Sequence, residues 1–352
     1  MEAVIGKILG DLGTFLFGPI MLAVFFGVGL YFTVRLRGVQ FTRFKTAFRE
    51  VVLNVGKKSD NGVGEIRSYK ALATALSSCV GNGNVVGVAY AIAVGGPGAI
   101  FWMWITAILG SASAFVESTL AQIYKKRDEN GGCYGGPSYY MEQALGQRWL
   151  GVVFAVVLIL TYVVGYNMLA AYNTQSTFGG FSFYSSSTPV VIGAVLAVLF
   201  GACVLGGGKR LTKVTEVLVP VMGVLYILVS LLVVIMNIGR IGAVLAAIFG
   251  SAFDFRAIFG GFTGSCIMWG IKRGLYSNEA GMGSAPNAAA AADVSHPVKQ
   301  GLVQMLSVFI DTLLICSATA FMCLFSGVAP SADAAPHRCR AHRSRQSPRE
   351  SA

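Results

Sequence analysis

Charged residues are scarce in this 352-residue chain, at 12% of the sequence against 55% hydrophobic residues. A soluble globular domain carries about a quarter charged residues, so this composition argues against one. Charge is missing altogether from four apolar runs, each about long enough to cross some 30 Å of hydrocarbon as a helix. The four runs are Gly13–Val34, Trp149–Tyr172, Pro189–Gly208 and Val217–Gly239. Four such helices cannot all be buried in one soluble core, so we predict an all-α polytopic membrane protein.

The motifs of soluble enzymes are missing too. The sequence contains no GxxxxGK[ST], HExxH or GxSxG pattern. Seven cysteines form no CxxC pair and mostly lie in apolar segments, which favours buried free thiols over a metal or disulfide set. The three histidines fall in a loop and in the C-terminal stretch, at His296, His337 and His342. We therefore predict that the chain is not an enzyme and carries no cofactor.

The basic residues that are present are concentrated in a few loops. Nine of them separate the first two apolar segments: Arg35, Arg37, Arg43, Lys45, Arg49, Lys57, Lys58, Arg67 and Lys70. Loops rich in Lys and Arg stay in the cytoplasm, so this loop is predicted inside and the N-terminus outside. Later inner loops are basic as well, whereas Asn173–Thr188 has no Lys or Arg. About eight segments result, in the inner membrane of a bacterium. The net charge of +11 is then explained by basic cytoplasmic loops next to the lipid bilayer, and it does not indicate nucleic-acid binding.

The C-terminal stretch breaks this pattern. We predict a transmembrane domain over residues 1–328 and a basic, disordered tail over 329–352. The tail carries five arginines on the side predicted to be outside: Arg338, Arg340, Arg343, Arg345 and Arg349. It can be an interaction tail, a disordered end, or the product of a shifted reading frame near Ala335. We favour the shifted frame.

A first interruption falls in the second apolar segment. Gly81, Asn82, Gly83 and Asn84 disfavour a continuous helix there. A broken helix at membrane depth is tolerated where it is buried in protein or lines a polar cavity. The amides from Val85 onward could hold an anionic group, and the carbonyls of residues 78–80 a cation. A glycine-rich packing seam is the alternative, and we favour a site because a seam needs no asparagines.

A second interruption is predicted in the seventh segment, about Ala257–Ala292. Glycines and polar residues recur there, around Trp269 and Gly270. Interrupted segments in two corresponding halves point to the binding site of a transporter. Trp269 could form a wall of an apolar pocket, or could face lipid at the membrane interface.

Two acidic residues lie inside apolar segments, Glu117 and Asp311. Acids within the membrane are costly and usually face the interior of a bundle, so both are candidates for function. The alternatives are pairing with a buried base such as Arg273, or capping of a helix break. We favour the structural alternative for Glu117 and leave Asp311 open.

Three blocks of sequence resemble the sodium:alanine (alanine or glycine:cation) symporter family. They are GGPGAIFWMWITAILG at 95–110, GNGNVVGVA at 81–89 and SNEAGMGSAP at 277–286. The resemblance covers roughly residues 12 to 335. It implies sodium-driven symport of alanine or glycine, with sodium as the coupling ion. It also implies a leucine-transporter-like inverted-repeat fold with two broken helices.

The resemblance also implies site residues. The predicted substrate-binding set is Gly81, Asn82, Gly83, Asn84, Asn167, Trp269 and Gly270, and the predicted sodium set is Cys79, Asn84 and Ser265. Two departures stand out: the family usually has threonine at the position of Asn82, and it continues through further helices that complete the second repeat and a sodium site. We therefore expect this C-terminally truncated chain to be inactive. A cation channel, a membrane-embedded enzyme and a non-transporting membrane protein are the competing hypotheses.

Overall fold

Helices make up nearly all of the structure, a computed structural model that describes residues 18–52, 68–81, 83–129, 132–253 and 266–327 and a few positions before residue 18. The α-helices are α1 Pro19–Arg35, α2 Val39–Thr42, α3 Phe44–Val52, α4 Ser68–Cys79, α5 Val88–Gly95, α6 Gly98–Ile123, α7 Pro137–Leu145, α8 Arg148–Ile159, α9 Asn167–Thr177, α10 Thr188–Val204, α11 Gly207–Met236, α12 Ile241–Ala252, α13 Cys266–Asn278, α14 Ala285–Ala291, α15 Pro297–Val308 and α16 Ser317–Phe325. The two short strands β1 (Lys126–Arg127) and β2 (Cys133–Tyr134) pair antiparallel after α6.

Three stretches of wider π-helical turns adjoin these helices: Gly83–Gly87, Leu160–Tyr166 and Phe309–Cys316. The second joins α8 to α9 and the third joins α15 to α16, so each pair forms one long helix. Short π-helical turns inside α-helices are frequent at functional sites. All three contain side chains of the site described below.

Four helical stretches are long and apolar enough to cross a membrane, by length and composition, within the described part of the chain: Gly98–Ile123, Arg148–Thr177, Lys213–Met236 and Pro297–Phe325. Shorter apolar helices include α1, α10 and α12. Arg148–Thr177, α10 and Lys213–Met236 lie within five residues of three of the four predicted apolar runs. The chain is therefore an all-α, multi-pass membrane protein.

Helices α6 and α15 form the centre of the structure. Helix α6 packs against α1, α12, α13, α14 and α15. In the most apolar window, 56% of the residues of α6 and 50% of those of Pro297–Phe325 are buried, against 6% in each of the other two long stretches. Arg148–Thr177 and Lys213–Met236 therefore lie at the periphery, with apolar side chains facing outward.

The link between α5 and α6 is short. Helix α5 ends at Gly95, Gly96 adopts a φ of +75°, and α6 begins at Gly98. A Cβ on Gly98 would lie 2.5 Å from the backbone nitrogen of Ala252, so glycine allows α12 to cross close to α6. Helix α12 buries one face against the core, because Val244, Ile248 and Ala252 recur every fourth residue.

Candidate substrate and cation site

Helical structure is interrupted between α4 and α5. Helix α4 ends at Cys79 and π-helical turns resume at Gly83, while Asn82 lies outside the described residues. Gly83 is buried against α13, where a Cβ would lie 3.2 Å from the ring of Tyr276 and 3.4 Å from Cα of Ser277. The interruption thus lies directly against a second helix.

The amides after the interruption are already hydrogen-bonded. The backbone N–H groups of Asn84 and Val85 donate to the carbonyl of Gly81, at 3.2 and 3.3 Å. We predicted amides free to hold an anion from Val85 onward, and in this conformation the amide of Val85 is not free. These two bonds span three and four residues, as in 3₁₀ and α-helical turns, so the Gly81 carbonyl already caps the first amides after the interruption.

Asn84 forms the main contact of the interruption with the rest of the protein. Its side chain is fully buried, and its Nδ2 donates to Oδ1 of Asp311 at 2.6 Å. Its Oδ1 accepts a long hydrogen bond from the Gly81 amide at 3.4 Å. Asn84 and Asp311 are 227 positions apart in the sequence. This contact joins the first interruption to the π-helical turns of Phe309–Cys316.

Asp311 collects hydrogen bonds from three elements. It is fully buried, and its Oδ2 accepts from Oγ of Ser277 at 2.6 Å and from Oγ1 of Thr312 at 3.1 Å. Ser277 also lies 3.0 Å from the thiol of Cys316. A buried carboxylate with two hydroxyl oxygens beside it offers the hard oxygen ligands that cations such as sodium prefer. The arrangement can hold a small cation without its full hydration shell.

Helix α13 supplies residues that the sequence reasoning did not place in a site. Tyr276 and Ser277 lie against Gly83, and the guanidinium of Arg273 lies against Gly87 and 5.0 Å from the ring centre of Tyr276. We considered Arg273 as an ion-pair partner of Glu117 or Asp311; the structure places it on an aromatic ring instead. The signal for Ser277 was present, because it opens one of the three family blocks.

An aromatic stack continues outward from this helix. Tyr166 stacks on Tyr276 with ring centres 5.3 Å apart, and Tyr162 stacks on Tyr166 at 4.7 Å. Both tyrosines belong to the π-helical turns between α8 and α9. Because Tyr276 also contacts Gly83, the stack lies against one side of the interruption.

The remaining predicted residues are spread over the structure. Asn167 is exposed and its Nδ2 donates to the carbonyl of Val163 on its own helix, so it does not reach the interruption. Trp269 packs edge-on against Tyr90, with ring centres 5.2 Å apart. Gly270 lies at the crossing with α6, where a Cβ would be 2.4 Å from the Ala99 carbonyl. The geometry therefore makes Gly270 a packing position.

The predicted sodium set is only partly visible. Asn84 is in place, and the thiol of Cys79 lies 3.8 Å from the carbonyl of Asn278, which draws the end of α4 to the end of α13. Ser265 lies outside the described residues. A thiol is a soft ligand, so Cys79 could serve a sodium ion only through its backbone carbonyl.

Glu117 takes the structural role that we favoured for it. Its Oε1 accepts from the amide of Gly281 at 3.0 Å, in the turn that follows α13. That turn contains the positive φ angles of Glu279 (+52°), Gly281 (+80°) and Gly283 (+82°). Glu117 therefore fixes the turn and stands apart from the carboxylate at the interruption.

Long apolar helices around a buried carboxylate that meets an interrupted helix define the class: a membrane-embedded transporter. The comparison with known sequences specifies it further. Residues 1–342 match the sequence model of the sodium:alanine symporter family. The chain belongs to this family, whose members are transporters and not enzymes.

Curated relatives agree with this assignment. The chain is 40% identical to a sodium/alanine symporter of Methanococcus maripaludis, over 92% of this chain and 70% of the relative. It is 45% identical to a probable sodium/glutamine symporter of Bacillus subtilis, over 93% of this chain and 67% of the relative. An amino-acid carrier protein of Bacillus subtilis is 47% identical, over 88% and 65%. The chain thus spans about two thirds of the length of these relatives.

Proposed function

We propose that the chain serves sodium-coupled symport of a small neutral amino acid, alanine or glycine, across the inner membrane of a bacterium. The observation that carries this proposal is the buried contact between Asp311 and Asn84 at the helix interruption. Family membership and the name of the Methanococcus relative support alanine and sodium as the transported pair. The name of one Bacillus relative makes glutamine the competitor to test against them.

Sodium is proposed to bind beside Asp311. Hydroxyl oxygens of Ser277 and Thr312 lie within 3.1 Å of Oδ2 of Asp311, so oxygens are already grouped around the charge. Asn84 currently presents its Nδ2 to the carboxylate. Rotation of the terminal amide by half a turn would present Oδ1 to an ion instead. The carbonyls of Cys79 and Ser265 complete the proposed set.

The substrate is proposed to lie at the interruption itself. Its carboxylate is proposed to bind to Gly81, Asn82, Gly83 and Asn84. This binding requires a conformation in which the backbone N–H groups of Asn84 and Val85 no longer donate to the Gly81 carbonyl. Trp269 is still proposed to form a wall of the substrate pocket. The positions of Asn167 and Gly270 argue against direct contact of these two residues with the substrate. The inverted-repeat fold is part of the same proposal, with α4 and α5 as the halves of one broken helix.

Reconstitution tests the proposal. The purified chain is placed in liposomes, and uptake of radiolabelled alanine, glycine and glutamine is measured with an imposed sodium gradient. Empty liposomes and an equal potassium gradient are the controls. Sodium-driven alanine or glycine uptake supports the proposal, whereas ion flux without an amino-acid requirement identifies a channel.

A binding measurement separates activity from recognition. Equilibrium binding of radiolabelled sodium and alanine to the protein in detergent does not require transport. Binding of both without uptake would support recognition at the proposed site while contradicting the proposed transport. Absence of any sodium binding would overturn the proposed site.

A further inference from the structure

A line of buried polar side chains follows helix α15 up to Asp311. Its members are Gln300, Gln304, Ser307 and Asp311, of which none is more than 6% exposed. The spacings of four, three and four residues keep all four within about 60° of arc on one face, since a helix turns about 100° per residue. At about 1.5 Å per residue the line is about 16 Å long, roughly half of a bilayer core of about 30 Å.

Several polar atoms in this line have no hydrogen-bond partner among the described residues. They are Nε2 and Oε1 of Gln300 and Nε2 of Gln304. Within the line, Oγ of Ser307 donates to the Gln304 carbonyl at 2.7 Å and lies 3.3 Å from its Oε1. A buried amide without a partner costs on the order of 1–3 kcal/mol. We therefore expect a buried amide without a partner where it contacts a polar ligand or an ion for part of the time.

Packing against neighbouring helices explains the residues on the other faces of α15, but it does not explain the buried polar residues of this line. Leu302, Met305 and Leu306 pack in an apolar cluster with Ala112 of α6. Gly301 crosses α6 so closely that a Cβ would lie 2.8 Å from the Phe115 carbonyl. Polar residues often join membrane helices by hydrogen bonds across the interface. The unpaired side-chain amide atoms of Gln300 and Gln304 form no such hydrogen bond to another helix among the described residues.

We infer that this line is the path along which a monovalent cation moves between Asp311 and the end of α15 at Pro297. The inference rests on the proposed sodium site and adds the route by which the ion reaches or leaves that site. Amide and hydroxyl oxygens at intervals of about one helical turn, roughly 5 Å, replace part of the hydration shell of the ion in steps. The predicted topology places Pro297 at the cytoplasmic side, so the path is the inner one.

Thiol accessibility tests the path without requiring transport. Gln304→Cys and Ser307→Cys are introduced one at a time into the full chain in proteoliposomes. Each is treated with a small cationic methanethiosulfonate and with an anionic one of similar size, and modification is located by peptide mass mapping so that native cysteines stay in place. The matched controls are Val303→Cys and Met305→Cys, which lie on the same helix, outside the line, and are buried.

The path predicts faster modification of the two line positions. Because a charged group entering an apolar contact costs a few kcal/mol, the cationic reagent should react about tenfold or more faster at 304 and 307 than at the controls. It should also react faster there than the anionic reagent, since Asp311 lies at the end of the path. Ser307→Cys changes one atom only, so it remains informative if Gln304→Cys folds poorly.

The outcomes separate the path from the site. Rates at 304 and 307 equal to the control rates, with sodium binding that depends on Asp311, overturn the path and leave the sodium site standing. Equal rates for cationic and anionic reagents overturn the cation path in favour of an open aqueous crevice. Reactive cysteines without any sodium binding overturn the proposed site, and the inference with it.

Discussion

At the scale of single residues, two buried acids of the same chain have taken different roles. Glu117 and Asp311 both lie in apolar helices, and the sequence gives no reason to separate them by environment. Glu117 accepts a backbone amide in a turn, whereas Asp311 gathers side-chain donors from Asn84, Ser277 and Thr312. An acid that gathers side-chain groups at a helix interruption can exchange them for an ion, and one that holds a turn cannot without losing the turn.

Replacing Asp311 should therefore weaken sodium binding selectively. Asp311→Asn removes the charge but keeps the size, and loss of a charge-assisted contact of about 1.5–3 kcal/mol corresponds to at least about tenfold weaker binding. Equilibrium binding of radiolabelled sodium measures it. Glu117→Gln is the matched control, because it also neutralises a buried acid. A Glu117→Gln protein that loses sodium binding as strongly as Asp311→Asn would contradict the assignment.

Substitution of Gly83 should abolish alanine binding. The Cβ of a residue at position 83 would meet Tyr276 at 3.2 Å and Cα of Ser277 at 3.4 Å, and the branches of valine need more room still. Gly83→Val should push the interruption away from α13. Gly193→Val in α10, outside the proposed site, is the control, because a Cβ there meets nothing within 4 Å. Normal alanine affinity in Gly83→Val, measured by equilibrium binding, would show that the substrate lies elsewhere.

At the scale of helices, the interruptions follow from local chemistry. Two glycines and two asparagines end α4 at Cys79, and the Gly95–Gly98 link separates α5 from α6. The π-helical turns of Leu160–Tyr166 and Phe309–Cys316 were not predicted, since no glycine or proline pattern marks them. Each widens a helix where a side chain of the candidate site lies, Tyr166 in the first and Asp311 in the second.

The crossing of α13 and α6 should depend on the absence of a side chain at Gly270. A Cβ there would lie 2.4 Å from the Ala99 carbonyl and 2.6 Å from Cβ of Trp102. Overpacking of this kind typically costs about 1–3 kcal/mol, so Gly270→Val should lower the thermal unfolding temperature in detergent. Gly223→Val on the peripheral helix α11 meets nothing within 4 Å and should not. Unchanged stability together with lost alanine binding would return Gly270 to the substrate pocket.

At the scale of the whole molecule, burial divides the helices into a central group and a peripheral group. Helix α13 and the π-helical turns of Gly83–Gly87 and Phe309–Cys316 hold the candidate site, and α15 holds most of the polar line. In contrast, Arg148–Thr177 and Lys213–Met236 expose apolar side chains along most of their length. In a bilayer such exposure is compatible with lipid contact. The division places the charged and polar groups of the site away from hydrocarbon.

The orientation of the molecule in the membrane is the prediction that belongs to this scale. The basic loop between Arg35 and Lys70 should face the cytoplasm. A cysteine introduced as Lys57→Cys should need a membrane-permeant thiol reagent in intact cells. Ser186→Cys, in the loop between α9 and α10 that lacks basic residues, should react with an impermeant one. The reverse labelling pattern would invert the topology.

The sequence by itself determined that this is a multi-pass helical membrane protein, where several of its helices lie and that its second apolar segment is interrupted. Those properties follow from local composition, because chain length, hydropathy and backbone preferences act over a few neighbouring residues. Only the tertiary structure decided that Asp311 meets Asn84, that Tyr276 and Ser277 face the interruption, and that Gly270 is a crossing point. In a membrane, lipid-facing and protein-facing surfaces of a helix are both apolar, so the sequence does not reveal how each helix is rotated. Packing between residues more than 200 positions apart sets that rotation, and with it the membership of the site.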